Sequence, residues 1–216
     1  MKKYDIIAFD LDGTLTNPER GLVASYKYAL KKMGVRYGTD SELRRFIGPP
    51  LFEEWQTCYG MTPEEAGKTV SLFREFFSVY GWWDNELYPG IREMLAELRS
   101  RGKKIILSTS KPEVFAKKIL VLFGIDGYFD FVGAATLDHK REKKHEVLEY
   151  ALCGVGAQDR SRCILVGDRK YDAEGAEICG IDSLAVTFGH GSLDELRSAG
   201  FKYIASSTKE ILDILI

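Results

Sequence analysis

The chain has 216 residues, 45% of them hydrophobic and 29% charged, with a formal charge of −2, which suits one globular domain, alone or carrying a smaller insertion. That charge excludes broad nucleic-acid binding, which needs a basic footprint, and leaves room only for small basic sites around a phosphorylated ligand. No apolar run reaches the length of a membrane span. Cys58, Cys153, Cys163 and Cys179, with no CxxC or zinc spacing, read as buried free thiols of a reducing cytoplasm.

In chain order, the first element is the apolar run Tyr4–Phe9. It is continuous rather than alternating, as in a strand buried on both faces. It ends in "DLDGTLT", where Asp10 and Asp12 stand two positions apart and Gly13 permits a sharp turn. Residues i and i+2 of a strand point the same way, so the two acids can converge on one site.

From Thr16 to Leu87 the pattern turns helical, over an interval far longer than one crossover needs. "GLVASYKYALKKMG" repeats Leu22, Tyr26, Leu30 and Met33 and stops at Gly34. "LRRFIGPPLFEEW" bends rigidly at Gly48-Pro49-Pro50. "TPEEAGKTVSLFREFFSVYG" opens on a Thr62/Glu65 capping box and turns Val70, Phe73, Phe77 and Tyr80 to one face.

Strands and helices alternate thereafter. "GIREMLAELRSRG" places Ile91, Met94, Leu95 and Leu98 on one helical face. The strand Lys104–Ser108 runs through Thr109 and Ser110 into a helix with Pro112 in its first turn. The run Phe129–Gly133 precedes a stretch crowded with Lys140, Lys143 and Lys144. Cys163–Gly167 leads to Asp168 and Asp172, and Ser183–Thr187 and, more weakly, Lys202–Ala205 complete the set. "SLDELRSAG" and "STKEILDILI" each open with a Ser-x-x-Glu capping box. His139, His145 and His190 show no metal spacing and read as structural or surface residues. Such alternation predicts an α/β fold: a Rossmann-like parallel sheet formed by residues 1–16 and 87–216, with an inserted helical domain over 17–86. An insertion there sits over the carboxyl ends of the strands, where open α/β sheets bind ligands.

Asp10, Asp12, Asp168 and Asp172 are four acids at two strand ends, and they repel unless something compensates them. A hard divalent cation does so, and Mg²⁺ typically takes one or two carboxylates plus waters and phosphate oxygens. Thr109 and Ser110 beside helix N–H groups make an anion site. Lys144, near the apolar face of Val147, Leu148, Ala151 and Leu152, adds a compact positive charge; Lys140 is the alternative. Carboxylate, metal, hydroxyl and lysine together describe phosphoryl transfer.

With those motifs the chain resembles the haloacid-dehalogenase-like hydrolases, specifically the phosphoglycolate-phosphatase-like branch with a helical cap. Asp10-Leu11-Asp12-Gly13-Thr14 is similar to the first motif, Thr109-Ser110-Lys111-Pro112 to the second, Lys144 to the third, and Gly167–Asp172 to the fourth. Ser110 stands where relatives often have Asn, and the third motif lacks its common Lys-Pro form. The resemblance implies an aspartyl-phosphate on Asp10, proton transfer by Asp12, Mg²⁺ held by Asp10, the Asp12 carbonyl, Asp168 and Asp172, and phosphoryl binding by Thr109 and Lys144. It also implies that Arg45, near the Gly-Pro-Pro bend, grips a substrate anion, against the plainer expectation of a solvated arginine. The expected substrate is a small phosphorylated metabolite, phosphoglycolate first and a nucleoside 5′-monophosphate next, acted on by a monomer or homodimer with no nucleic-acid or membrane partner. A sugar-phosphate mutase and a phospho-accepting signalling domain are the alternatives.

Overall fold

The computed structural model describes residues 4–138 and 140–216; His139 lies outside them. The chain divides into two compact units, one formed by the stretch up to Asn17 with Leu87–Ile216, the other by Pro18–Glu86.

In chain order the elements are β1 (Ile6–Phe9), β2 (Thr16–Asn17), α1 (Glu19–Lys32), α2 (Asp40–Arg44), α3 (Leu51–Tyr59), α4 (Pro63–Phe76) and β3 (Glu86–Leu87). There follow α5 (Ile91–Ser100), β4 (Lys104–Pro112), α6 (Glu113–Leu122), β5 (Phe131–Ala135), α7 (Lys144–Gly154) and β6 (Cys163–Gly167). The last are α8 (Lys170–Ile178), β7 (Asp182–Val186), α9 (Leu193–Ser198), β8 (Tyr203–Ala205) and α10 (Thr208–Leu215).

The first unit is built on a six-stranded sheet in the order β5-β4-β1-β6-β7-β8, parallel at every pairing. β1 lies between β4 and β6, with Phe9 opposite Leu107 on one side and Val166 on the other. The connections run outward from β1 in opposite directions, so the strand order reverses there and leaves a crevice at the carboxyl ends of β4, β1 and β6. β6 is buried along its whole length, which accounts for its unbroken apolar sequence. α7 presents Val147, Leu148, Ala151 and Leu152 to this core. Its other face carries Cys153, which is exposed, as is Cys58 on α3, while Cys163 is buried and Cys179 half-buried. Burial of all four thiols, expected from their apolar neighbourhoods, therefore does not hold. Helical periodicity turned two of them outward.

The second unit is helical. Tyr26 of α1 is its centre: the ring stacks on Phe73 at 5.4 Å, meets Trp55 edge-on at 5.8 Å and donates its hydroxyl to the Phe46 carbonyl at 3.2 Å. The Thr62/Glu65 capping box forms in both directions. α4 does not continue as a regular helix to Gly81. Phe77–Gly81 is a π-helical turn, which widens the helix and shifts its register. Phe77 is buried, but Tyr80, expected on the same face, is 56% exposed. Among the described residues no helix is long and apolar enough to cross a membrane.

Candidate active site

Asp10 leaves β1 with its N–H still donating to the Val166 carbonyl at 2.9 Å. The chain then closes on itself: the Leu11 carbonyl accepts from the N–H groups of Leu15 at 2.9 Å and Thr16 at 3.0 Å. Gly13 makes this possible with φ 85°, a region other residues occupy only with strain. Any side chain at Gly13 would also run into the Asp168 carboxylate. The turn thus brings the chain after β1 against the residue that follows β6.

Asp10, Asp168 and Asp172 are all buried, and each offers a carboxylate oxygen within 4.8 Å of the others. Asp168 Oδ2 accepts the His190 backbone N–H at 2.7 Å, and Oδ1 meets the Thr14 hydroxyl at 3.4 Å. Desolvation, then the charges of Asp172 and Asp10, push its pKa well above the usual carboxylate range. Asp172 Oδ2 caps the start of α8, accepting the N–H groups of Asp168 at 3.1 Å and Arg169 at 3.0 Å. Its pKa is raised by burial, with Lys144 opposing.

Lys144, the first residue of α7, sends its ammonium into this cluster. Nζ lies 2.7 Å from Asp10 Oδ1 and 2.7 Å from Asp172 Oδ1, and donates to the Ser108 carbonyl at 3.0 Å. Desolvation opposes its charge, but the two carboxylates outweigh it and raise its pKa. Gly175 makes room for the lysine stem, since a Cβ there would stand 2.6 Å from Lys144 Cγ. Lys140 is different: its side chain is 83% exposed and pairs with Asp138 at 3.0 Å.

Thr109, near the end of β4, is buried, and its Oγ1 accepts the Lys111 N–H at 3.2 Å. Ser110 is exposed and donates its hydroxyl to the Glu142 carbonyl at 2.9 Å, so it ties β4 to the segment before Lys144. Arg45 belongs to the helical unit, exposed at the end of α2, with its guanidinium 4.9 Å from the Phe46 ring centroid.

Asp12 is paired through Oδ2 with the Lys111 ammonium. Desolvation raises the Asp12 pKa, and the charge of Lys111 lowers it by less. Lys111 had no role in the sequence expectations, although it stands inside the second motif. The His190 backbone went unnoticed too. Its one signal is a flanking pair, Gly189 and Gly191: a Cβ on either would strike Asp168.

Four buried or half-buried acids therefore face two lysines, which leaves the cluster short of positive charge. The donors are hard oxygens, so a divalent cation fits what the residues present. Asp10 and Asp168 are the best placed to hold it, with Asp172 behind them on Lys144 and the α8 backbone.

The chain belongs to the haloacid dehalogenase-like hydrolase family, whose model matches residues 7–186. It is 38% identical over 196 residues to the 5′-nucleotidase of Pseudomonas aeruginosa, covering 91% of this chain and 88% of that one. It is 28% identical to the phosphoglycolate phosphatase of Vibrio parahaemolyticus, over 100% of this chain and 98% of that one. Among solved structures, a haloacid dehalogenase-like hydrolase of Streptococcus pneumoniae superposes with a TM-score of 0.91 at 29% identity, with 99% of each chain covered.

Proposed function

We propose that the protein is a Mg²⁺-dependent phosphatase that hydrolyses small phosphomonoesters through an aspartyl-phosphate on Asp10. The observation that carries this is the pairing of Asp10 Oδ1 with Lys144 Nζ at 2.7 Å beside Asp168. A carboxylate so placed lies beside a fixed positive charge, at the end of the sheet where open α/β folds bind ligands.

When bound, the cation offsets the charge of the acidic cluster and of the phosphate dianion. The other steps fall to the protein. Thr109 Oγ1 and Lys144 Nζ hold the phosphoryl oxygens, which keeps phosphorus in line with Asp10. An Asp10 oxygen attacks phosphorus while Asp12 gives its proton to the departing ester oxygen. Asp12 then takes a proton from the water that cleaves the acyl phosphate, and phosphate leaves. The Asp12 pKa, raised by burial, suits a group that must be protonated in one step and deprotonated in the next.

Selectivity falls to the helical unit as a cap, with Arg45 gripping a substrate anion. Phosphoglycolate carries such an anion in its carboxylate. A second substrate class, nucleoside 5′-monophosphates, is favoured by the higher identity to the Pseudomonas 5′-nucleotidase. The test is a phosphate-release screen over small phosphomonoesters, with Mg²⁺ and with excess chelator. Metal-dependent release from both a carboxylate-bearing ester and a nucleotide fits the proposal. Transfer of the phosphoryl group back to sugar without release of phosphate would instead indicate a mutase, and a long-lived phosphoprotein without turnover a signalling domain.

A further inference from the structure

Lys111 is a second buried lysine beside the acidic cluster, and the steps above make no use of it. Its side chain is 5% exposed, and its ammonium pairs with Asp12 Oδ2. Burying and ordering a long cationic side chain is unfavourable unless a partner compensates it. The partner here is the proton-transferring carboxylate.

Three observations bear on what the pairing does. The other carboxylate oxygen, Asp12 Oδ1, is buried and has no hydrogen-bond partner. One oxygen is held by the ammonium, and the other takes no hydrogen bond from the protein. The Asp12 backbone is fixed by the turn around Leu11 and Gly13, but that turn does not set the side-chain rotamer. Finally, the pairing of β4 with β5 shifts register between Thr109 and Pro112. Irregularities of this kind re-aim side chains beside active sites. The same segment holds the Lys111 N–H on Thr109 Oγ1, which couples Lys111 to the residue assigned to the phosphoryl group. Lys144 contacts Asp10 and Asp172; Lys111 contacts Asp12.

We propose that Lys111 is a positioning residue for Asp12, pinning Oδ2 so that Oδ1 faces the leaving oxygen of the ester. The inference rests on the phosphatase reading above. In the first step the bond from Asp10 to phosphorus forms as the bond from phosphorus to the ester oxygen breaks. The proton on Asp12 Oδ1 passes to that oxygen, and the resulting carboxylate stays beside the ammonium, which keeps its own protons. In the second step water attacks phosphorus, its proton returns to Oδ1, and the Asp10 carboxylate is released.

The test compares leaving groups. Positioned proton transfer is worth about 10²–10⁴-fold to a poor leaving group and little to one that departs as a stable anion. Lys111→Met keeps the apolar stem and removes the charge. Its kcat/KM, which reports the steps up to departure of the leaving group and not the later hydrolysis of the acyl phosphate, should fall on the order of 100-fold for an alkyl phosphate and by less than about 3-fold for p-nitrophenyl phosphate, with inhibition by inorganic phosphate unchanged. In an Asp12→Asn background the same substitution should cost nothing further on the alkyl ester. Should Lys111→Met not fold, Lys111→Gln carries the same comparison. Equal losses on both esters, no loss on either, or weakened inhibition by phosphate would overturn the inference, the last by placing Lys111 on the phosphoryl group. A wild-type protein that releases no phosphate from any ester defeats the phosphatase reading and this inference with it. An active wild type with a uniform loss defeats this inference alone.

Discussion

Lys144 Nζ and Asp10 Oδ1 stand 2.7 Å apart, both side chains almost wholly buried, at 8% and 12% exposure. The lysine begins a helix and the aspartate ends a strand, so the contact ties two elements that are distant in sequence. It also places a fixed positive charge against the carboxylate assigned to attack.

Removing one partner of a buried ion pair costs about 3–5 kcal/mol, because the other charge is left uncompensated. Lys144→Met should therefore lower stability in urea by roughly that amount without metal, and should suppress turnover. Lys140→Ala should stay within about 0.5 kcal/mol of wild type with normal activity, as exposed sites do. A loss of activity in the Lys140 variant alone would reassign the phosphate-binding lysine.

Desolvation and the repulsion of Asp172 and Asp10 oppose ionisation of Asp168. Its folded pKa lies above its unfolded one, so between the two values the folded state binds more protons and stability falls as pH rises. In excess chelator, the protein should melt at higher temperature near pH 5 than near pH 8. Mg²⁺ should remove this difference, adding about 2.7 kcal/mol when present at 100 times its dissociation constant. Asp168→Asn should flatten the pH slope, to which Asp172 and Asp12 also contribute, and should lose the Mg²⁺ shift. A metal-independent melting temperature in the wild type counts against the cation.

Gly13 combines φ 85° with contact against Asp168. Gly13→Ala should destabilise the protein by more than about 1 kcal/mol, since the backbone is strained and the carboxylate must move. The same displacement should weaken Mg²⁺ binding, measured calorimetrically. An alanine variant that binds Mg²⁺ normally would mean that the turn does not set the Asp168 position.

Arg45 tests recognition separately from chemistry. If it pairs with a second anion of the substrate, Arg45→Ala should lose about 1.5–3 kcal/mol of binding for an anionic substrate. Turnover of p-nitrophenyl phosphate, which lacks that anion, should barely change. A constant ratio between the two substrates leaves Arg45 as an exposed arginine on the Phe46 ring.

The parallel sheet was legible because its strands are buried on both faces, and Cys163–Gly167 occupies the same residues in the structure as in the sequence pattern. The acids were legible because two carboxylates at a strand end need a reason to be there. Capping boxes are only half legible in sequence. Ser192 does accept the Glu195 N–H at 3.1 Å, but the Glu195 carboxylate is spent on Arg169 Nε at 2.9 Å and the Lys170 N–H at 3.0 Å. Local pattern carries no information about a partner that arrives from another helix. Lys111 stayed hidden for the same reason: its partner Asp12 is 99 residues away, and only the fold brings them together. The π turn at Phe77 leaves no mark in the periodicity, which therefore places Tyr80 on the wrong face.

The central claim is that Asp10 takes the phosphoryl group. It is tested most directly by acid-quenching the protein with p-nitrophenyl phosphate and Mg²⁺, then mapping the modified peptide. Asp12→Asn is the background of choice, because loss of the proton acceptor for water should let the adduct accumulate. The account predicts one phosphoryl group, on Asp10, absent from the Asp10→Asn variant, which should also lose turnover by several orders of magnitude. Turnover in that variant near the wild-type rate, or an adduct on another residue, would contradict it.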